Sequence, residues 1–300
     1  MSQIFDALQK SEAARRGVDL SAGATAPELL ESVERQRASG NTAGGRHSGA
    51  GVEDAAHDFP SVNVRFSPES KLVCATDGES LASEKFRFLA VRLRHLQQKR
   101  HMSSLLITSS LPEEGKSTVA ANLAISLASK GQQKILLLDG DLRRPAQARQ
   151  FGLNSPLGLS DMLRYESLPA MNICRLENLG LWLLAAGSPS NDPLTLMQSE
   201  RLALLIDQLR TWFNWIVIDS PPVLPLGDTS IWMRLSDAIL LVARPAKTQK
   251  RGLQEALGAL EPSKLLGALI NGSVEAASSD YYYHYYAAGK SPVSPNAGWR

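Results

Sequence analysis

Two hydrophobic patterns alternate along residues 104–270 of this 300-residue chain. Short, nearly continuous apolar runs predict strands, and apolar residues that recur every three or four positions predict helices. The strands are predicted at 104–108, 134–138, 181–184, 215–218, 238–242 and 265–270, and the helices at 83–97, 117–129, 199–211 and 249–260. Since these strands are apolar on both faces, we expect an α/β fold with a mostly parallel sheet and helices on both faces.

The first 69 residues follow other patterns. Ile4, Phe5 and Leu8 have helical spacing, which predicts a short helical segment over residues 1–16. Residues 17–69 are rich in Gly, Ala, Ser, Thr and charged side chains, and they contain too little apolar surface to offset the entropy lost on ordering. They are predicted to be a flexible, largely disordered linker, followed by the main domain over 70–278 and a tail over 279–300.

Charge and cysteine content narrow the classes of function. The formal net charge is +2, from 32 basic and 30 acidic residues, and it gives no indication of a nucleic-acid partner. Cys74 and Cys174 lack the spacing of a disulfide framework or a zinc site. No apolar run approaches the roughly 20 residues that span a bilayer, and the N-terminus lacks a secretory pattern. We therefore expect a cytoplasmic protein that meets a membrane only through a partner.

A phosphate-binding loop follows the first predicted strand. Residues 108–118 read Thr-Ser-Ser-Leu-Pro-Glu-Glu-Gly-Lys-Ser-Thr, and a helical pattern begins at once. Strand, loop and helix form the context of a P-loop, in which backbone N–H groups and the helix N-terminus surround phosphates. Ser110 stands where the first glycine of GxxxxGK(S/T) is usual. The residues predicted to bind ATP are Glu114, Gly115, Lys116, Ser117 and Thr118, with Lys116 on the terminal phosphates and the Ser117 hydroxyl on Mg²⁺.

Two further strands end in carboxylates. Asp139 and Asp141 follow the strand at 134–138, and Asp219 follows the strand at 215–218. Any one of them alone is also typical of a turn. Together, one carboxylate can hold Mg²⁺ beside a bound nucleotide, and another can accept a proton from an incoming hydroxyl. The sequence therefore predicts a site equipped for phosphoryl transfer from ATP.

The tail is unusual because five of the six tyrosines of the chain lie within residues 281–286. Buried phenols need hydrogen-bond partners, so five such neighbours are expected to be exposed. Beside a phosphoryl-transfer site they are candidate acceptors, although an aromatic contact patch remains the alternative. The candidate acceptors are Tyr281, Tyr282, Tyr283, Tyr285 and Tyr286.

These motifs together resemble the bacterial tyrosine kinases of capsule and exopolysaccharide biosynthesis, in the cytoplasmic form whose membrane-spanning activator is a separate chain. That family has a Walker A loop, a Walker A′ motif of apolar strand plus DxDxR, a Walker B strand plus DxPP, and a C-terminal tyrosine cluster. Here these correspond to 110–118, 139–143, 219–222 and 281–286, and the resemblance covers roughly residues 84–286.

The resemblance implies ATP-dependent autophosphorylation of the tyrosine cluster, which regulates polysaccharide polymerisation and export. It places Ser117, Asp139 and Asp219 around magnesium, Asp141 near the attacking tyrosine, and Arg143 on the transferred charge. Its implied partners are a membrane-spanning activator at the inner membrane, further copies of this chain and a phosphotyrosine phosphatase. Since each phosphate adds about −1.5 to −2 charge, a phosphorylated tail is expected to leave its docking site.

The chain departs from the family pattern at two places. Glu84, Arg87 and Arg92 stand where the family often has an oligomerisation motif, Glu-x-x-Arg-x-x-Arg, so the second arginine is displaced by two. Glu113 replaces a usual loop glycine, and we expect its side chain to point to solvent. Two other functions remain open: a positioning ATPase of the same P-loop class, although residues 110–112 lack the second lysine common there, and a regulator that binds nucleotide without catalysis.

Overall fold

The computed structural model describes residues 59–66, 70–129, 131, 133–154, 157–165, 172–224, 227–245 and 247–272. All of them fall within the second of two units into which the chain divides, Phe59–Arg300. The predicted helical segment 1–16, most of the predicted linker and the tyrosine tail 279–300 lie outside the described residues.

One sheet organises the described part of the chain. Its strand order is β1-β4-β5-β3-β6-β2-β7-β8, and neighbours are parallel except for the antiparallel pair β4 and β5. The strands are β1 Ser61–Val62, β2 Ser104–Ser109, β3 Ile135–Asp139, β4 Ile173–Leu176, β5 Leu181–Leu184, β6 Trp215–Asp219, β7 Ala238–Ala243 and β8 Leu265–Ile270. All six strands expected from the sequence appear within one residue of their predicted bounds.

Helices connect the strands. They are α1 Val73–Thr76, α2 Leu81–Arg100, α3 Lys116–Ala128, α4 Gln147–Gln150, α5 Leu159–Arg164, α6 Pro193–Met197, α7 Glu200–Trp212, α8 Asp228–Leu235 and α9 Lys250–Ala259, with a 3₁₀ turn at Glu177–Leu179. The four predicted helices correspond to α2, α3, α7 and α9. None of the helices in the described residues is long and apolar enough to cross a membrane.

The strands bury side chains in two separate cores, one on each face of the sheet. In β3, Ile135 and Leu137 join one core, while Leu136 and Leu138 join the other. The first core is closed by α2 and α3, and the second by α5 to α9. Strands buried on both faces are the reason that the sequence shows continuous apolar runs rather than alternation. The predicted α/β fold with helices on both faces is confirmed.

The described domain begins before residue 70, the boundary expected from composition. Phe59 stacks on Phe213 at 6.0 Å between ring centroids, Ser61 and Val62 pair with β4, and the backbone N–H of Val64 donates to Asn178 Oδ1 at 3.3 Å. The predicted boundary was too late because residues 17–69 are polar on average, although the last few of them include apolar side chains that pack on the domain. β1 was missed because two residues carry no periodicity, and β4 was missed because its sequence, Ile-Cys-Arg-Leu, is interrupted by Arg175 and so lacks the continuous apolar run of β5.

Candidate functional site

The three strands that carry the phosphate loop and the carboxylates are neighbours at the centre of the sheet. The order β3-β6-β2 sets Asp139 in register with Asp219, and Asp219 in register with Ile107 near the end of β2. The N–H of Gly140 donates to the carbonyl of Asp219 at 2.7 Å, which fixes the two strand ends together. The predicted motifs therefore meet at the carboxyl edge of the sheet, where ligands of α/β folds bind.

The phosphate loop links the end of β2 to α3, which begins at Lys116. Gly115 is the residue before the helix and has φ +93°, a left-handed conformation that favours glycine. A Cβ on Gly115 would lie 2.0 Å from Nδ2 of Asn271, so the position also lacks space for a side chain. The loop thus takes its shape partly from a residue 156 positions further along the chain, since 271 − 115 = 156.

The two glutamates of the loop have opposite environments. Glu113 is left-handed at φ 65°, and its side chain is exposed and ion-paired with Lys247, so it points outward as expected. Glu114 is fully buried, and its carboxylate accepts the N–H of Leu111 at 3.0 Å and the hydroxyl of Thr248. The Glu114 side chain therefore braces the loop, and only its backbone is available to a ligand.

Lys116 is held between the carboxylates of the other two motifs. Its Nζ lies 2.9 Å from Asp141 Oδ2, 3.7 Å from Asp219 Oδ1 and 3.3 Å from Ser117 Oγ. Burial acts to lower the pKa of this lysine, but the charges of Asp219 and Asp141 outweigh that effect and raise it. Lys116 is thus a charged group at the floor of the cleft.

Asp139 organises the segment that follows β3. Its Oδ2 accepts the backbone N–H groups of Ala146 at 3.0 Å and Gln147 at 2.9 Å, and its Oδ1 accepts the N–H of Asp141 at 3.3 Å. Burial, with the nearby charge of Asp219, raises the pKa of Asp139 to about 7. Both oxygens of Asp139 therefore already accept hydrogen bonds from backbone N–H groups. In this structure Asp139 stabilises the conformation of the segment that follows β3.

Asp219 offers the oxygen best suited to a cation. The residue is fully buried, and its Oδ1 has no hydrogen-bond partner among the described residues. Burial raises the pKa of Asp219, against the charge of Lys116 and the hydroxyl of Ser117, which lower it. A buried, unpartnered carboxylate oxygen next to a serine hydroxyl fits a hard cation such as Mg²⁺.

The described residues contain no group of three or more His, Cys, Asp or Glu side chains arranged for a metal. Mg²⁺ normally keeps several waters and uses phosphate oxygens together with one or two carboxylates.

Gln147, which sequence reasoning missed, connects all three motifs. Its Nε2 donates to Asp219 Oδ2 at 2.8 Å and to the carbonyl of Ser117 at 3.1 Å, while its own N–H binds Asp139. The side chain is fully buried. No motif marks a glutamine eight positions after Asp139, so only its position in the fold reveals it.

Arg143 is in the cleft but is not free. Its Nε and Nη2 bind the two oxygens of Asp228 at 2.6 and 3.1 Å, and the Asp228 side chain is almost fully buried at the start of α8. This bidentate geometry fixes the orientation of the guanidinium. Asp228 carries no sequence signal of its own and was also missed.

One cleft of about 1230 Å³ is lined by Gly115, Lys116, Ser117, Asp141 and Arg143 of this site. Its lining holds seven cations against two acids, Glu113 and Asp141, so the cleft favours anions. The cations are Arg65, Lys71, Lys116, Arg143, Arg144, Arg149 and Arg244. Thr118 lines the same cleft. The five predicted acceptor tyrosines lie outside the described residues, which end at Gly272, directly after Asn271.

Comparison with known proteins places this site in a family. No family model matches the chain. The tyrosine-protein kinase YwqD of Bacillus subtilis is 33% identical over 215 residues, 71% of this chain and 90% of that protein. The putative tyrosine-protein kinase CapB of Staphylococcus aureus is 34% identical over 197 residues, covering 64% and 85% of the two chains.

Comparison with solved structures gives the same family as comparison with these relatives. The chimerical protein CapA2B2 shares 31% identity with a TM-score of 0.62, covering 71% of this chain and 92% of that chain. The kinase domain of the Escherichia coli tyrosine kinase ETK shares 25% identity with a TM-score of 0.63, covering 73% and 85%. The predicted family and enzyme class are thereby confirmed: this chain belongs to the bacterial tyrosine-protein kinases.

Proposed function

We propose that this kinase uses ATP and Mg²⁺ to phosphorylate its own C-terminal tyrosine cluster, and in this way regulates polysaccharide polymerisation and export. The observation that carries the proposal is the position of Lys116, which lies between Asp141 and Asp219 beside an unpartnered carboxylate oxygen. A bound triphosphate would take Lys116, and a bound cation would take Asp219 Oδ1 and the Ser117 hydroxyl.

The residues divide the work as follows. The loop backbone from Glu114 to Thr118 cradles the phosphates. Mg²⁺, when bound, neutralises phosphate charge and orients the γ-phosphate. Asp219 and Ser117 hold that ion, with the negative charge of Asp139 behind them. Arg143, oriented by Asp228, faces the transferred group.

Asp141 is the proposed general base, and its contact with Lys116 suggests how it becomes available to the tyrosine. When phosphate draws Lys116 away, the Asp141 carboxylate loses its hydrogen-bonded cation and is free to accept the proton of a tyrosine hydroxyl. The phenolate oxygen then forms a bond to the γ-phosphorus as the bond to the β-phosphate oxygen breaks, which releases ADP. Binding of ATP would thus prepare the base.

The partners belong to the same proposal. We infer that the chain works at the inner membrane with a separate membrane-spanning activator, with further copies of itself, and with a phosphotyrosine phosphatase that resets it. The solved structure of the chimerical protein CapA2B2 supports a partner chain, since a chimera joins parts of two proteins.

The test uses the one tyrosine outside the tail as its control. The full chain is incubated with radiolabelled ATP and Mg²⁺, with and without a candidate activator fragment, and modified tyrosines are mapped by mass spectrometry. Label should vanish when all five tail tyrosines become Phe and persist in Tyr165→Phe, whose ring is 59% exposed. Steady ATP hydrolysis with no labelled tyrosine, even with a competent activator, would favour a positioning ATPase instead.

A further inference from the structure

Five cations of the cleft lining have no part in the proposed reaction: Arg65, Lys71, Arg144, Arg149 and Arg244. Arg144 and Arg244 lie next to the proposed site, since Arg144 follows Arg143 and Arg244 donates to the Glu113 carbonyl at 3.5 Å. The other three residues, Arg65, Lys71 and Arg149, are called the outer cations. Two of them come from the segment before α1, which sequence composition placed in or next to the linker. Their location near the active site is therefore a product of the fold.

Each outer cation is held in place by a different part of the fold: the turn after α4, helix α3, or α4 itself. A Cβ on Gly152 would lie 3.6 Å from the carbonyl of Arg65, and Phe66 packs edge-on against Phe151 at 6.3 Å between ring centroids. The carbonyl of Lys71 accepts Nδ2 of Asn122 at 2.9 Å, from the helix that begins at the phosphate loop. Arg149 lies in α4, the helix that Asp139 and Gln147 anchor.

The outer cations differ from the inner ones in their ion pairs. Lys116 is paired with Asp141 and Arg143 with Asp228. In the part of the chain that the structure describes, no carboxylate lies within 4.0 Å of the charged nitrogens of the outer cations. Exposed cations that line one cleft without a carboxylate partner favour the binding of anions there. The geometry therefore leaves room and charge for an anion beside the nucleotide.

We propose that the outer cations form a second anion site, which holds the phosphate of a phosphotyrosine already made in the C-terminal cluster. This inference rests on the proposed function. The phosphate brings about −1.5 to −2 charge, and arginine matches its oxygens with a planar fork of donors. The unmodified stretch 279–286 carries only Asp280 as a charged side chain. The site thus distinguishes the modified tail from the unmodified one.

The last described residues before the tail lie next to the phosphate loop. Asn271 Nδ2 donates to the carbonyl of Glu114 in the phosphate loop at 3.0 Å, and Gly272 follows it. Tyr281 is nine positions after Gly272 (281 − 272 = 9), a reach of at most roughly 30 Å. Such a short tether keeps the cluster at high effective concentration near the cleft. The tail of a second copy offers the same chemistry from another source.

The outer anion site would make successive phosphorylations of one tail more efficient. A phosphotyrosine held by the outer cations keeps the cluster in the cleft while a neighbouring tyrosine reaches Asp141. The tail is then phosphorylated several times per encounter. The expected departure of a fully phosphorylated tail remains a prediction, and the cation-rich lining of the cleft favours retention of a partly phosphorylated one.

The binding test uses the full chain with its five tail tyrosines replaced by Phe, saturated with ADP and Mg²⁺ so that the phosphate loop is filled. A fluorescent peptide of residues 277–288, with and without phosphate on Tyr283, is titrated by anisotropy. The triple variant Arg65→Gln, Lys71→Gln and Arg149→Gln should bind the phosphopeptide about tenfold more weakly, since several individually weak exposed pairs are lost together.

The control triple variant removes three exposed cations outside the cleft: Lys99→Gln, Arg234→Gln and Arg251→Gln. Its affinity for the phosphopeptide should equal that of the parent chain, and thermal unfolding should show both triples folded. Equal loss in the two triples, equal binding of both peptides, or binding abolished by ADP would each overturn the outer site.

A second measurement separates this inference from the proposed function. Mass spectra of the native tail during autophosphorylation should show multiply phosphorylated chains beside unmodified ones, whereas the outer-cation triple should accumulate singly phosphorylated chains first. An unlabelled tail with intact phosphopeptide binding would refute autophosphorylation and leave the site standing. A labelled tail with the same pattern of phosphorylated forms in both proteins would support autophosphorylation and refute the outer anion site. Dilution separates the sources, because only a second copy's tail is lost from the cleft at low concentration.

Discussion

The phosphate loop is held from two sides by different chemistry. On the side of β7 and β8, Thr248 and Asn271 bind the Glu114 carboxylate and carbonyl, and Asn271 fills the space beside Gly115. On the side of β3 and β6, Asp141 and Asp219 surround Lys116. The first side fixes the backbone of the loop, and the second presents ionised groups to the cleft.

The β7–β8 side therefore determines the conformation of the phosphate loop, whereas the β3–β6 side carries the charged groups that can act on a ligand. Hydrogen bonds on the β7–β8 side are complete without a ligand, so they set the loop geometry in advance, and each contributes about 1 kcal/mol. The groups on the β3–β6 side are buried charges, and one carboxylate oxygen there, Asp219 Oδ1, lacks a hydrogen-bond partner among the described residues. Such groups gain most from a bound nucleotide and cation. Variants on the two sides should therefore fail in different measurements.

The largest effect is expected from Lys116→Met on the chemical side. Loss of a preorganised charge at the transferring phosphate typically costs about 10²–10³ in turnover. Tyrosine labelling should fall by at least that factor in a quenched-flow or radiolabel assay. Arg251→Met, an exposed residue of α9 paired with Glu255, serves as the control and should label normally. Robust labelling by Lys116→Met would remove this lysine from the chemistry.

Gln147→Ala should lower turnover by about 10- to 100-fold, the usual range for a residue that orients metal ligands. The reason is its double donation to Asp219 and to the Ser117 carbonyl. The Mg²⁺ concentration at half-maximal activity should rise, while ATP binding in EDTA, measured by calorimetry, should stay near normal. Gln147→Met fills the same space without donors, so its recovery of activity would indicate a packing role instead.

On the shape side, Gly115→Ala should destabilise the protein by about 2–3 kcal/mol, since it combines left-handed strain with displacement of Asn271. Gly180→Ala is the matched control, because it has φ +61° and no atom within 4 Å of the added Cβ. It should cost about 1 kcal/mol. In an Asn271→Ala background the cost of Gly115→Ala should approach that of the control, as judged by urea unfolding. An unchanged cost there would show that Asn271 is not the obstacle.

Asp139 predicts a pH dependence in nucleotide- and magnesium-free protein. Its pKa is about 7 in the folded chain, against about 3.9 when unfolded. Between these values the folded state binds more protons, so the free energy of unfolding should fall as pH rises from about 4 to 7, by at most about 1.4 kcal/mol per pH unit, and then level off. Asp139→Asn should flatten this slope in urea titrations at pH 5 to 8. A steeper slope in the variant would contradict the assignment.

The smallest effect is expected from Lys247→Gln. Its ion pair with Glu113 is exposed, and exposed ion pairs contribute little to stability because water and salt screen them. Thermal unfolding should shift slightly, and the shift should disappear at 1 M salt, where charges are screened. A large, salt-independent loss of stability would mean that the loop depends on this contact far more than its exposure implies.

The sequence by itself determined the order of strands and helices along residues 104–270, because apolar runs and three- to four-residue spacing are local properties. It also predicted Lys116, Ser117, Asp139, Asp141 and Asp219 as site residues, because each stands at or shortly after the end of a strand that is visible in the pattern. These strand ends share one edge of a parallel sheet by necessity. The acceptor role of the tyrosines remains a prediction.

Only the tertiary structure decided which distant residues complete the site. Gln147 meets Asp219, Asp228 meets Arg143, and Asn271 meets Gly115, across separations of 72, 85 and 156 positions (219 − 147, 228 − 143 and 271 − 115). No local pattern encodes such pairs, because they arise from the strand order β3-β6-β2-β7-β8 and not from spacing along the chain. The same holds for Arg65, a residue of polar surroundings that β1 pairing and the packing of Phe66 carry to the mouth of the cleft.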